Sequence, residues 1–133
     1  MLVTETKIRV RYAETDQMGV VHHSTYLLYF EIGRTELLRQ LGTTYRKMED
    51  EGVMLPVISV YCDFIGPARY DDELTVKTYL KRIPGVKIHF EYEVYNSGNL
   101  ICNGHSVLAF TNAVTRKPMK PPLWFQKLIS QYF

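Results

Sequence analysis

In the stretch RYAETDQMGVVHHSTYLLYF, Arg11 to Phe30, an acid at Asp16, a glycine at Gly19 and two histidines, His22 and His23, stand directly ahead of an apolar pattern of helical spacing. These residue types suit chemistry at a carbonyl. The first amides of a helix have no partner inside it and carry partial positive charge, so they bind an oxygen on which negative charge develops. Free amides are expected near His23 and Ser24, where they would form an oxyanion hole; losing one such donor slows acyl transfer by about 10²-fold to 10³-fold. Asp16 supplies the second part, either as a general base that deprotonates water or as a nucleophile that forms a mixed anhydride. Gly19 gives the turn between them its backbone freedom.

The same residues also serve without chemistry. Asp, Gly and Ser are ordinary turn and capping residues, and on spacing alone Asp16 reads equally as a solvated turn acid. His22 and His23 are adjacent and do not share a helix face, which argues against joint metal binding. Cys62 has no fixed basic partner in the sequence. Cys62 and Cys102 each sit inside a strand-like apolar segment, and the two read as buried free thiols, not as a disulfide framework or a metal site.

The elements around these residues follow from periodicity. Ile8, Val10 and Tyr12 alternate with Lys7, Arg9 and Arg11, the pattern of a first strand with one wet face. From Ser24, a candidate N-cap, Tyr26, Leu27, Phe30, Leu37, Leu38 and Leu41 recur at helical spacing up to a stop at Gly42. Gly33 inside this helix costs about 1 kcal/mol relative to alanine, so it is expected to permit close approach by a sheet or a second helix. A short helical piece over Tyr45 to Glu51 is expected next. The run VMLPVISVYCDFIGPARYDDEL then predicts a strand buried on both faces at its start and ended by Pro67 and the YDDE turn. Leu74, Val76 and Leu80 mark a further strand, and Val86, Ile88, Phe90, Tyr92 and Val94 share one face of the next. IPGV and NSGN are turn chemistry, so successive strands through Leu100 to Thr111 are expected to meander as antiparallel neighbours. Leu123, Phe125, Leu128 and Ile129 predict a short amphipathic C-terminal helix.

Strand, long helix, then four strands argues for an α+β fold with one face of an antiparallel sheet covered by a single central helix. With 133 residues, 46% of them hydrophobic, one domain over 1–133 is expected. Such a sheet has open edges, and a symmetric homodimer joining two sheets edge to edge is the expected remedy. The net charge of +2 comes from scattered basic residues, so nucleic acid is not an expected partner. Ten tyrosines suit ligand pockets and subunit interfaces as well as cores. The N-terminal MLVTETKIRV holds Glu5 and no long apolar run; no signal peptide or membrane span is expected, and the chain reads as cytoplasmic.

The segment RYAETDQMGVVHHSTYLLYFEIGRTELL, followed by GPARYDDELTVKT, resembles the hotdog-fold acyl-CoA thioesterases of the 4-hydroxybenzoyl-CoA thioesterase group, including the Tol-Pal-associated branch. The likeness spans nearly the whole chain, and its most specific part is the series Asp16, Gly19, His23 and Tyr26. It implies an antiparallel sheet wrapped around one long helix, a working dimer, and dimers that often pair into tetramers. It implies further that Asp16 is the catalytic carboxylate and that the backbone amide of His23 polarises a thioester carbonyl; some members carry tyrosine at this position, so no role follows for the imidazole. Tyr26 matches a helix tyrosine that lines the pocket or fills the core. The implied substrate is an acyl-CoA, hydrolysed without metal or cofactor. Lys81, Arg82 and Lys87 beside the IPG turn are the candidate cations for its phosphates, and the acyl tail is expected where the helix meets the partner's sheet. Two other readings attach to the same residues: an enoyl-thioester hydratase or dehydratase working through an imidazole, and a non-catalytic acyl-CoA-binding module.

Overall fold

Strand β1 (Leu2–Arg9) turns Thr4 inward and Glu5, Lys7 and Arg9 to solvent, the alternation its sequence requires. The computed structural model, which describes residues Met1–Phe133, continues through a 3₁₀ turn (Tyr12–Glu14) and a loop into α1 (Thr25–Gln40). Tyr26, Tyr29, Phe30, Leu37 and Leu38 form the buried stripe of α1. The chain leaves the helix through Gly42 at φ 90°, a left-handed conformation that glycine adopts without strain. Three local expectations fail here. Tyr12 lies in the 3₁₀ turn and is 77% exposed, and Leu27 faces solvent on α1. Ser24 occupies the N-cap position but caps nothing: its hydroxyl lies 2.8 Å from His22 Nδ1.

Next come α2 (Tyr45–Asp50), where Thr44 Oγ1 accepts from the Lys47 N–H at 3.1 Å, and β2 (Val53–Met54). Then follow β3 (Val57–Phe64), β4 (Glu73–Leu80), β5 (Lys87–Asn96), β6 (Asn99–Ala109), β7 (Thr111–Asn112) and α3 (Leu123–Ser130). The main sheet is antiparallel in the order β1-β4-β5-β6-β3, so the architecture is the expected α+β. Strands β4, β5 and β6 meander as expected, the last turn through Ser97 and Gly98, both at positive φ as a tight two-residue hairpin demands.

Strand β3 departs from that scheme. It pairs with β6 instead of its neighbour in sequence, and it forms the sheet edge. Nor is it buried on both faces: Ile58, Val60 and Phe64 are 53%, 43% and 50% exposed. The cause is coverage, because α1 lies across β1, β4 and β5 and stops short of the far edge. Two glycines set how closely the helix approaches the sheet. A Cβ on Gly33 would sit 2.4 Å from Thr78 Oγ1 and 3.1 Å from Val76 Cγ1 on β4, and a Cβ on Gly104 of β6 would press on the Phe30 ring at 2.8 Å. The expected close approach at Gly33 is thus met by the sheet. No helix is long and apolar enough to cross a membrane.

Candidate active site

The loop between β1 and α1 is fastened by a residue that sequence reasoning passed over. The Glu14 carboxylate, almost fully buried, accepts from the Arg11 backbone N–H at 2.8 Å, from Arg11 Nε at 3.1 Å and from the Tyr29 hydroxyl at 3.0 Å. Its backbone carbonyl takes the His22 N–H at 2.9 Å. One residue therefore ties the loop to helix α1 by side chain and main chain together. Burial, and then the bond to Glu14, push the Tyr29 hydroxyl far above the usual tyrosine range, so it stays a donor. The available signal was an acid three residues after Arg11, the spacing at which a carboxylate returns to a turn's first amide.

Asp16 sits in the turn that this anchor presents. Its N–H donates to the Val20 carbonyl and its carbonyl accepts from the Gly19 N–H, both at 2.9 Å, while Gly19 adopts φ 78°. The Met18 N–H donates to Asp16 Oδ1 at 2.9 Å. That is ordinary turn chemistry, yet it engages one carboxylate oxygen and leaves the other without a partner in the chain. Asp16 is half-buried in a cleft of ≈ 390 Å³ that His23, Tyr26, Met18, Phe64 and Pro67 also line.

At the helix start the amides divide unequally. The Thr25 N–H donates to the His22 carbonyl at 2.9 Å, the Tyr26 N–H to the His23 carbonyl at 3.3 Å, and the Ser24 N–H to His22 Nδ1 at 3.2 Å. Only the His23 N–H has no acceptor in the chain, so a single amide is free where two were expected. The His23 ring is exposed, 4.1 Å from that of His22 and edge-on to Phe64. Tyr26 is 3% exposed and packs edge-on against Tyr29 and Phe64; it is core and cleft wall at once. Burial, with the Cys102 and Cys62 thiols adding, pushes its hydroxyl up to about 12. The two sulfurs lie 3.4 Å apart, and burial raises both thiols, which disfavours the thiolate that a cysteine nucleophile needs.

Asp16, His23 and Tyr26 thus share one cleft, with Gly19 shaping the turn, but the candidate cations do not join them. Arg9 pairs with Glu73 and Leu2 with Leu80, so Lys81, Arg82 and Lys87 lie at the opposite end of the sheet from the loop after β1. Seven residues of strand separate the ends by about 23 Å. Lys81 is moreover engaged by Glu91 at 3.2 Å. The sequence could not reveal this, because which end of a sheet a turn occupies depends on strand pairing.

Comparison with known proteins adds a family. A family model described as the thioesterase-like superfamily matches residues 10–129. The acyl-CoA thioester hydrolase YbgC of Escherichia coli O6:H1 is 30% identical over 125 residues, covering 94% of this chain and 92% of its own. The Bacillus subtilis (strain 168) relative YneP is 42% identical over 96 residues, 72% of this chain and 70% of its own. A crystal structure of a DHNA-CoA thioesterase from Staphylococcus aureus superposes with a TM-score of 0.95 at 29% identity, over 99% of this chain and 91% of that one.

Proposed function

Because this chain belongs to the thioesterase-like superfamily, we propose that it hydrolyses acyl-CoA thioesters to a carboxylate and free coenzyme A, acting as one hotdog domain over residues 1–133. One observation carries the assignment of the site: Asp16 lines the same cleft as His23, whose backbone amide has no partner in the chain. The thioester carbonyl oxygen accepts from the His23 N–H, which stabilises the negative charge that develops there. Asp16 takes a proton from the attacking water, or attacks the carbonyl carbon itself to give an anhydride that water then opens. In either route the carbon–sulfur bond breaks and the thiolate of coenzyme A leaves to be protonated. Gly19 holds the turn, and Tyr26 walls the acyl side. No metal or cofactor takes part, and a cytoplasmic location suits a coenzyme A ester.

The hydratase reading differs in its use of imidazole. With a backbone amide as the polarising group, replacing His22 and His23 together by alanine is expected to keep thiol release within about tenfold of wild type, well short of the 10²-fold scale of a lost acid or base. A thiol-release screen across short, medium, long and aryl acyl-CoA esters, run with the double variant and with an enoyl-CoA hydration assay, tests it. Loss of all activity in the double variant, or hydration without thiol release, would overturn the thioesterase reading; coenzyme A ester binding with neither reaction would favour a binding module.

The unit proposed is a homodimer joined through β3, pairing further into a dimer of dimers. Edge β1 carries Glu5, Lys7 and Arg9, charges that discourage strand addition, whereas β3 offers Ile58, Val60 and Phe64. A two-fold axis across β3 makes the paired edges antiparallel. The partner's Val57 end then lies beside this chain's Phe64 end. Since Val57 pairs with Leu108 and Ala109 with Lys87, that arrangement carries the partner's β4–β5 hairpin towards the Asp16 cleft. Lys81, Arg82 and Lys87 would then serve coenzyme A phosphates across the interface. Val60→Lys is expected to yield monomers by sedimentation at micromolar concentration, with thiol release falling in parallel; an unchanged dimer mass would rule out this edge.

A further inference from the structure

Beyond the Asp16 cleft lies a mostly apolar cavity of ≈ 280 Å³ between α1, α2, α3 and the inner face of β5 and β6. Its walls are apolar, with Met48, Leu55, Phe90, Leu108 and Phe125, but Glu31, Arg34 and Thr35 also open onto it. Arg34 is half-buried and takes part in none of the chain's ion pairs, although Glu31, exposed one turn earlier, lines the same space. Glu31 shares the cavity but forms no ion pair with Arg34, and a half-buried guanidinium without a bonded counter-charge is costly among apolar walls. Its one neighbour of note is the Tyr92 hydroxyl, which is itself bonded to Ser106 at 2.6 Å. A hydroxyl does not neutralise a guanidinium.

The cavity follows the Asp16 cleft along α1: Tyr26 lines the cleft, and Glu31, Arg34 and Leu38 line the cavity. On α1 the positions Leu27, Glu31, Arg34 and Leu38 fall at spacings of four, three and four, a single face of the helix. That face starts one turn past His23 and ends at the cavity, which Leu38 lines. Strand β3 runs the same way: Phe64 at its end lines the cleft, and Leu55, two residues before its start at Val57, lines the cavity. Val60, Cys62 and Phe64 share the inner face with their partners Ser106, Gly104 and Cys102, and a register shift between Val57 and Ser59 breaks the alternation at Ile58.

We propose that the acyl group of the substrate runs from the Asp16 cleft along α1 to this cavity and that Arg34 binds a carboxylate there, so that the chain prefers ω-carboxyacyl-CoA thioesters to alkyl ones. The inference rests on the thioesterase reading. Arg34 is eight residues beyond Tyr26, an axial rise of about 12 Å. Helical side chains lean back towards the N-terminus, which shortens the gap. At about 3.5 Å per three bonds, an acyl chain of about six to eight carbons spans what remains. The guanidinium fork matches a carboxylate in two parallel hydrogen bonds, while an alkyl terminus would leave it buried and unpaired.

The test compares suberoyl-CoA, octanoyl-CoA and 8-hydroxyoctanoyl-CoA, equal in length and different at the terminus, in wild type, Arg34→Met and Arg34→Lys. In wild type, kcat/KM for suberoyl-CoA is expected to exceed that for octanoyl-CoA by about 10²-fold or more, since sites built to hydrogen-bond a substrate group strongly reject analogues lacking it. Arg34→Met should invert the order and Arg34→Lys should restore part of it, a change of ratio that a merely structural arginine would not produce. Asp16-dependent hydrolysis that ignores the terminus, or an equal loss on all three esters in Arg34→Met, would overturn this proposal and leave the thioesterase reading standing. Preference for the hydroxyl ester would overturn the carboxylate assignment. If no ester is hydrolysed the thioesterase reading fails, and thermal shift with free suberate against octanoate still decides the subsite: stabilisation by suberate that Arg34→Met abolishes supports it, and equal shifts sink it.

Discussion

Replacing Asp16 by asparagine is expected to lower thioester hydrolysis by about 10²-fold or more, the scale of a lost general acid or base, while fold and association stay unchanged. The local geometry explains why the substitution is clean. Asp16 Oδ1 accepts from the Met18 N–H, and an asparagine oxygen takes that bond equally well. The remaining turn contacts, to Val20 and Gly19, are made by the backbone. What disappears is the negative charge and basicity of the oxygen without a partner. Thiol release at near-saturating substrate reads the effect, and an unchanged melting temperature shows that the turn survives. If the asparagine variant matches wild type, Asp16 is a turn acid and nothing more. Single turnover in H₂¹⁸O identifies one of the two catalytic roles: label entering the Asp16 carboxylate marks a nucleophile whose anhydride water opens at the aspartyl carbonyl.

The largest expected loss of stability comes from Gly104→Ala. A Cβ there would meet the Tyr61 backbone carbonyl at 2.2 Å and the Phe30 ring at 2.8 and 2.9 Å. Neither neighbour can give way cheaply. The carbonyl belongs to β3 beside the Cys62–Gly104 pair, and the Phe30 ring is stacked on Tyr92 with centroids 4.3 Å apart and planes 4° from parallel. Overpacking of a tight core costs about 1–3 kcal/mol, and a backbone clash places this site at the upper end. At about 3–5 °C per kcal/mol for a chain of this size, the melting temperature should fall by about 10 °C. Because the strain pushes β3 away from β6, the dimerisation proposed for that edge should weaken as well. Calorimetry and sedimentation on the same variant check both, and an alanine variant that melts with wild type would show that β6 shifts to make room. Gly33→Ala is the milder case. Its main clash is with a side-chain oxygen, Thr78 Oγ1, and alanine also regains helix propensity.

The likeness to solved thioesterases, together with the sheet and its long helix, makes this a hotdog fold. Much of that architecture was legible because helices and strands answer to local periodicity. The stripe at Tyr26, Phe30, Leu37 and Leu38 and the alternation at Ile88, Phe90, Tyr92 and Val94 are buried as their spacing requires. Glycines at turns were equally readable, since Gly19, Gly42 and Gly98 stand where the backbone takes positive φ. Strand β3 misled because its apolar run is compatible with a buried centre or with an edge awaiting a partner. Composition does not distinguish the two.

The sequence by itself determined the elements, the α+β class, and the presence of Asp16 and a helix start within one short loop, for these depend on neighbours a few residues apart. Only the tertiary structure decided that Glu14 clamps the loop through Arg11 and Tyr29, that the His23 amide alone stays free, that Lys81, Arg82 and Lys87 lie at the far end of the sheet, and that Arg34 opens onto an apolar cavity. Each of these depends on which strand pairs with which and on how closely α1 lies on them, and pairing between distant segments leaves no periodic trace along the chain.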